Sequence, residues 1–351
     1  MSILWITLLA FSTLFIGYGW FWLCDKKSSF LPQILKQPLI GILLLGGISC
    51  IITFFITPNQ NDAVFPATIT PLLAFLTTAT GLLFALRYTK SAFSHIIFIL
   101  LACTINILLL PQGFTFSYGM LPPYAERIIL CLAWVLFTGF YHNLNGVDGV
   151  ITIQSLSVVL GLFLMFLISM MPELYSGWNL NFACLLLALS FFTNYPAMIS
   201  LDKKSCQTLG FIVGWLSLLA TVEGNGSCVL ILNMYYIYEI TVALFKKLNF
   251  QHQFKILMNN MFYNQLAAIG IAPQKICEFI GKTNLILMLF AGLQIYSPNQ
   301  YAIVLFSFFI VFSITSRVTS PQNNTQHILI TGSLLSILKK NKSSADEDNK
   351  K

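Results

Sequence analysis

Charge is what this chain has least of. Asp, Glu, Lys and Arg make up 9% of its 351 residues, where a soluble domain carries about 25%. So few ionised groups cannot cover a water-facing surface, which excludes a soluble globule with a large core. Acidic residues are scarcest, with twelve in all and none between Asp62 and Glu126. The eight cysteines have no metal-ligand spacing. Most lie in apolar stretches, as Cys50, Cys103, Cys131 and Cys184 do, and read as small apolar filler. No internal repeat recurs at a fixed period. Met1 to Leu9 contains no Lys or Arg, so the first apolar block lacks the basic start of a cleaved signal peptide and is expected to stay as a membrane span.

What is there instead is apolar length. Hydrophobic residues make up 57% of the chain and arrive in blocks of roughly 17–23, the length that crosses about 30 Å of hydrocarbon as helix. The blocks fall near 3–23, 38–57, 64–86, 94–111, 126–142, 150–170, 178–194, 207–223, 227–245, 283–298 and 301–316. The expected fold class is therefore all-α, a polytopic membrane bundle of about eleven transmembrane helices. It comprises one membrane domain over 1–316 and a cytoplasmic tail over 317–351. In the tail, Ile328 to Leu338 is too short to cross and suits an interfacial helix, while Lys339 to Lys351 is charged, small and disordered in type.

Basic residues set the orientation. With the amino terminus outside, the inner segments 24–37, 87–93, 143–149, 195–206, 246–282 and everything after 316 carry 18 of the 19 Lys and Arg, leaving only Arg127 outside. The opposite orientation inverts that bias, against the positive-inside rule. The net charge of +7 is thus a topological signal. Basic residues scattered over short loops do not make a nucleic-acid surface.

Charged groups in or beside spans are expensive and mark candidate sites. Asp148 ends the segment Asn145-Gly-Val-Asp148, Asp202 precedes Lys203 and Lys204, and Glu239 lies in the ninth span. All three fall on the inner side in this topology. Asn145 and Asp148 offer hard oxygen ligands to Mg²⁺, and the flanking glycines let backbone turn tightly and approach a phosphate. The same residues also make a plain inter-helix turn. Asp202 beside two lysines equally reads as a solvated loop charge, and Arg87, Lys90, Lys203 and Lys204 as topology determinants. His95 and His142 read as interfacial or hydrogen-bonded helix-end residues.

Four segments carry a resemblance. Phe137-Thr-Gly-Phe-Tyr-His-Asn-Leu-Asn-Gly-Val-Asp-Gly-Val150 looks like Asn-x-x-Asn-x-x-Asp-Gly-x-Asp-Gly. Asn194-Tyr-Pro-Ala-Met-Ile-Ser-Leu-Asp-Lys-Lys-Ser205, followed by Leu209-Gly-Phe, looks like Asn-x-Pro…Gly-Asp-x-Gly-Ser…Leu-Gly-Phe. Tyr238-Glu-Ile-Thr-Val-Ala-Leu-Phe-Lys-Lys-Leu248 looks like Asp-x-x-x-x-Leu-x-Arg-Arg. Met258-Asn-Asn-Met-Phe-Tyr-Asn-Gln-Leu266 looks like His-Arg-Ser-His-Leu-Tyr-Gln-Arg-Leu. In this order and at cytoplasmic loops, they resemble the polyprenyl-phosphate N-acetylhexosamine-1-phosphate transferases, the family that includes phospho-N-acetylmuramoyl-pentapeptide transferase. The resemblance runs over about residues 38–316.

The resemblance implies a multi-pass protein of the bacterial inner membrane that transfers a sugar-1-phosphate from a UDP-N-acetylhexosamine to undecaprenyl phosphate for envelope polysaccharide. It implies Mg²⁺ as cofactor, held by Asp148, Asp202 and Asn145, with Asp148 catalytic and Arg87, Lys90, Lys203 and Lys204 meeting phosphates. Glu239 becomes a supporting or structural group. The implied partners are membrane lipid, polyprenyl phosphate and a UDP-sugar, with self-association or an active glycosyltransferase as protein partner.

The departures fall on the reactive positions. The family's Asp-Asp pair after the third span is replaced by Leu82-Leu-Phe-Ala-Leu-Arg-Tyr-Thr-Lys90, and no shift of register restores it. Gly139, His142 and Asn145 stand where the family has two asparagines and an aspartate. Leu201 and Lys204 replace glycines, and Met258 and Met261 replace histidines, which methionine cannot imitate toward phosphate or Mg²⁺. Three expectations stay open: a working transferase, an inactive homologue that binds lipid phosphate or sugar nucleotide or partners an active enzyme, and a small-solute transporter. The last requires ionisable groups or a broken helix near the midplane, and only Glu239, near a span end, comes close.

Overall fold

The computed structural model describes residues 2–25, 38–56, 72–82, 85, 91–110, 121–169, 173–249, 261–268, 270–296 and 300–318. Among these the chain is helical throughout, with no strand, as expected where backbone amides have no water to bond and must pair within their own segment. In chain order the helices are α1 (Ser2–Asp25), α2 (Pro38–Ile56), α3 (Leu72–Leu82), α4 (Ala92–Leu108), α5 (Pro123–Tyr141), α6 (Val150–Ile168) and α7 (Glu173–Thr193). There follow α8 (Lys203–Ala220), α9 (Gly226–Leu232), α10 (Met234–Asn249), the short α11 (Phe262–Ala268), α12 (Pro273–Tyr296) and α13 (Gln300–Val318). Six stretches are long and apolar enough to cross a membrane, and four shorter apolar helices accompany them among the described residues.

The longest of the six, Lys203–Leu232, is not one straight rod. A π-helical turn over Thr221–Asn225, with Gly224 at φ 87°, separates α8 from α9. The ninth expected span is likewise two pieces, α9 and α10, with Asn233 between them. The Asn233 amide bonds back to Val229 O (3.0 Å), a side-chain bond of the kind that bends helices. The tenth expected span begins too late at 283. Helix α12 starts at Pro273, because its first turns carry Gln274, Lys275, Glu278 and Lys282, which hydropathy discounts although the helix simply continues beyond the hydrocarbon.

Helix α8 is the post of the bundle, buried at every residue from Ser205 to Ala220. Helices α5, α6 and α9 pack around it. A second layer forms as α1 and α2 pack on α7, α4 on α5, and α12 on α6 and α9, with α13 against α9, α10 and α12. Aromatic rings fill the contact: Phe75 stacks on Trp215 (centroids 4.0 Å), Trp215 on Trp178 (5.5 Å), and Trp134 on Phe211 (4.7 Å). Two of the buried indoles keep a polar partner, Trp178 donating to Cys50 O (3.2 Å) and Trp134 to Phe211 O (3.3 Å).

Amide side chains tie helices across the interior. Asn106 donates to Thr78 (2.8 Å), Asn181 to Thr53 (2.8 Å) and Asn284 to Gln154 (2.7 Å). Such bonds are each worth about 0.6 kcal/mol on average in a bilayer. The outward faces are apolar: Phe15 and Phe93 are 73% exposed and Phe11 61%. Apolar exposure on this scale suits lipid as the surrounding solvent.

Candidate functional site

The sequence between Tyr141 and Val150 is a turn by composition, and it folds as one. His142–Leu144 closes a 3₁₀ turn, and His142 Nδ1 pairs with Gly139 O (2.6 Å), the helix-end role expected for it. Gly149 takes φ 85° as the residue before α6, a conformation that a side chain opposes. A Cβ there would also strike the Asn194 side chain, and a Cβ on Gly146 would strike the Asn264 carboxamide. Gly149 is therefore required by its backbone conformation and by the approach of Asn194, while at Gly146 a Cβ would have to displace the Asn264 carboxamide.

Those approaches bring the quoted segments together. The Asn145 amide donates to Leu201 O (2.6 Å), joining the α5–α6 turn to the residue before Asp202. Tyr263 on α11 donates to Asn143 O. Phe262 N–H donates to Glu239 Oε2 (3.0 Å), and Tyr235 O–H to Glu239 Oε1 (2.9 Å). Tyr236 donates to Phe137 O (2.8 Å), and Cys277 Sγ to Asp148 O (3.2 Å). Residues from all four segments thus meet at one end of the bundle, where α5 and α7 end and α6, α8 and α12 begin.

The individual candidates differ in standing. Asp148 is exposed on this end, and its main-chain carbonyl, not its carboxylate, takes the Cys277 thiol. Asp202 is also exposed, but one oxygen accepts Ser205 N–H (3.0 Å) and caps α8. Lys203 is exposed and Lys204 half-buried, both in the first turn of α8. Asn145 is half-buried, and with its amino group committed to Leu201 its Oδ1 is the atom available to a cation. Arg87, Lys90 and Met258 lie outside the described residues, as does nearly all of the expected tail. Met261, the second methionine at a histidine position, is buried and serves as packing.

Among the described residues no three His, Cys, Asp or Glu side chains gather to hold a metal ion. Two exposed carboxylates and an amide oxygen still have the right chemistry for Mg²⁺, which binds through one or two carboxylates and takes its remaining oxygens from water and phosphate.

Sequence reasoning missed the roles of Tyr263, Asn264 and Cys277. Tyr263 is fully buried, and that burial, with Glu239 and Cys206 nearby, pushes its phenol well above the ordinary range, so it serves as a neutral donor. Its position in the Tyr-Asn-Gln segment was a signal, but nothing local says that its partner is the Asn143 carbonyl. A cleft of about 290 Å³ adjoins the site, lined in part by Ile153, Asn194, Gln274 and Cys277. Comparison with known proteins adds nothing to this geometry: no family model matches the sequence, and no curated protein matches it.

Proposed function

We propose that this chain is a catalytically silent relative of the polyprenyl-phosphate sugar-1-phosphate transferases. It binds a phosphate-bearing ligand, a polyprenyl phosphate or a UDP-sugar, at the inner end of a multi-pass bundle in a bacterial plasma membrane. In this reading the chain crosses the bilayer about eleven times: α1 to α8 cross once each, α9 with α10 once, and α12 and α13 once each. The amino terminus faces out and the carboxyl terminus the cytoplasm.

The observation that supports it most is the bond from Asn145 to Leu201 (2.6 Å), which joins the Asp148 and Asp202 turns at one mouth of an apolar bundle. Asp148, Asp202 and Asn145 would hold Mg²⁺, whose charge neutralises a bound diphosphate. Lys203 and Lys204 would add positive charge next to those oxygens, and grooves between apolar helices would take the lipid chain. Turnover is a different requirement. The stretch from Asp62 to Glu126 holds no carboxylate, and two methionines stand at the histidine positions, so the groups that orient the nucleophile are missing.

The test uses purified protein in nanodiscs with UDP-N-acetylhexosamines, polyprenyl phosphate and Mg²⁺. Saturable, Mg²⁺-dependent binding of the UDP-sugar or of polyprenyl phosphate, lost in Asp148→Asn, with no UMP released, is the expected result. UMP release that disappears in Asp148→Asn makes the chain a working transferase and ends the silent reading. Absence of both binding and turnover removes the ligand site and returns the transporter class to consideration.

A further inference from the structure

The return of the chain from its long inner loop is pinned at one carboxylate. Glu239 on α10 is 2% exposed, and its two oxygens accept from different places: Oε1 from Tyr235 of its own helix, and Oε2 from the main-chain N–H of Phe262 at the start of α11 (2.9 and 3.0 Å). One carboxyl group that accepts from both its own helix and the next segment ties the two together at a single point. The next two residues of α11 reach the α5–α6 turn. Tyr263 bonds Asn143 O, and the Asn264 carboxamide sits where Gly146 has no Cβ. From that turn Asn145 continues to Leu201. A chain of contacts therefore runs from α10 through α11 to the turn that carries Asn145 and Asp148, and on to the cap of α8.

We infer that Glu239 is a positioning residue for the inner-end site, holding α11 in place so that Tyr263 and Asn264 fix the Asn145–Asp148 turn. In this role it touches no ligand and acts through α11. Helix α11 is too short to be stable alone, so its place depends on such anchors. The inference rests on the reading that this turn belongs to a binding site. It is tested without ligand, so that its failure and the failure of that reading are separable.

The experiment is amide hydrogen exchange on the full-length protein in nanodiscs, comparing wild type with Glu239→Ala, Glu239→Gln and Tyr263→Phe. Removing the carboxylate should speed exchange over both 261–268 and 142–150 by about tenfold, with the rest of the bundle unchanged. Glu239→Gln keeps one acceptor oxygen and should recover part of the protection. Tyr263→Phe deletes only the hydroxyl and should loosen 142–150 while leaving 261–268 protected. Exchange over 142–150 that stays at the wild-type rate in Glu239→Ala overturns the inference. So does uniform acceleration across all helices in both Glu239 variants, which would make Glu239 a general stability residue.

Discussion

At the residue scale, the cap that Asp202 provides and the metal contact proposed for it can be separated by a pair of substitutions. As the cap of α8 it satisfies the Ser205 amide, and loss of such a cap costs about 1 kcal/mol. Asn caps as well as Asp does but carries no charge. Asp202→Ala is therefore expected to lower the thermal unfolding midpoint and Asp202→Asn to leave it unchanged. If Asp202 also meets Mg²⁺, both variants weaken Mg²⁺-dependent UDP-sugar binding. Undiminished binding in Asp202→Asn would leave the cap as its whole function. Gly149→Ala is predicted to be worse than either, destabilising by about 2–4 kcal/mol in a denaturation series, since a positive φ and a collision with Asn194 act together.

At the element scale, the amide pair between α6 and α12 makes a sharper case than any single contact. Gln154 and Asn284 are buried, and after their mutual bond Gln154 Nε2 and Asn284 Oδ1 have no partner among the described residues. Asn284→Leu alone strands the Gln154 carboxamide completely and should destabilise by about 1–3 kcal/mol. The double variant Gln154→Leu with Asn284→Leu should recover most of that loss, because two apolar side chains need no partner. A double-mutant cycle in bicelles measures the coupling, and strictly additive losses would show that the pair does not act as a unit. What was legible in the sequence at this scale followed from periodicity and length. The apolar blocks located α1, α2 and α4 to α8 closely, since hydropathy and helix ends coincide where a turn such as Asn145-Gly-Val-Asp148-Gly follows the span. It misplaced the start of α12, where polar helix extends into water, and missed the break between α9 and α10 at Asn233. The meeting of the four quoted segments was anticipated from loop topology. The contacts that create it, Tyr263 to Asn143 and Phe262 to Glu239, join residues more than a hundred positions or a long loop apart, and no local pattern records them.

At the scale of the whole molecule, the proposed orientation makes every described turn an address. Reporter fusions in the 143–149 and 195–202 turns should report the cytoplasm, and fusions at Glu223–Gly226 the exterior, with Arg127 the only basic residue near an outer end. A cytoplasmic signal from the Glu223 turn would mean that α8 and α9 do not cross separately, and the count of crossings would fall with it.

Burial of α8 from Ser205 to Ala220 also bears on how this sequence can drift. A helix that never meets lipid is released from the demand for greasiness that rules its neighbours, and answers only to shape. Along the exposed face of α1 one bulky apolar residue can replace another freely. Along α8 a serine can trade with an alanine at little loss, whereas an added methyl group has nowhere to go. Variation tolerated within the lineage should therefore follow volume at the centre of the bundle and oiliness at its rim.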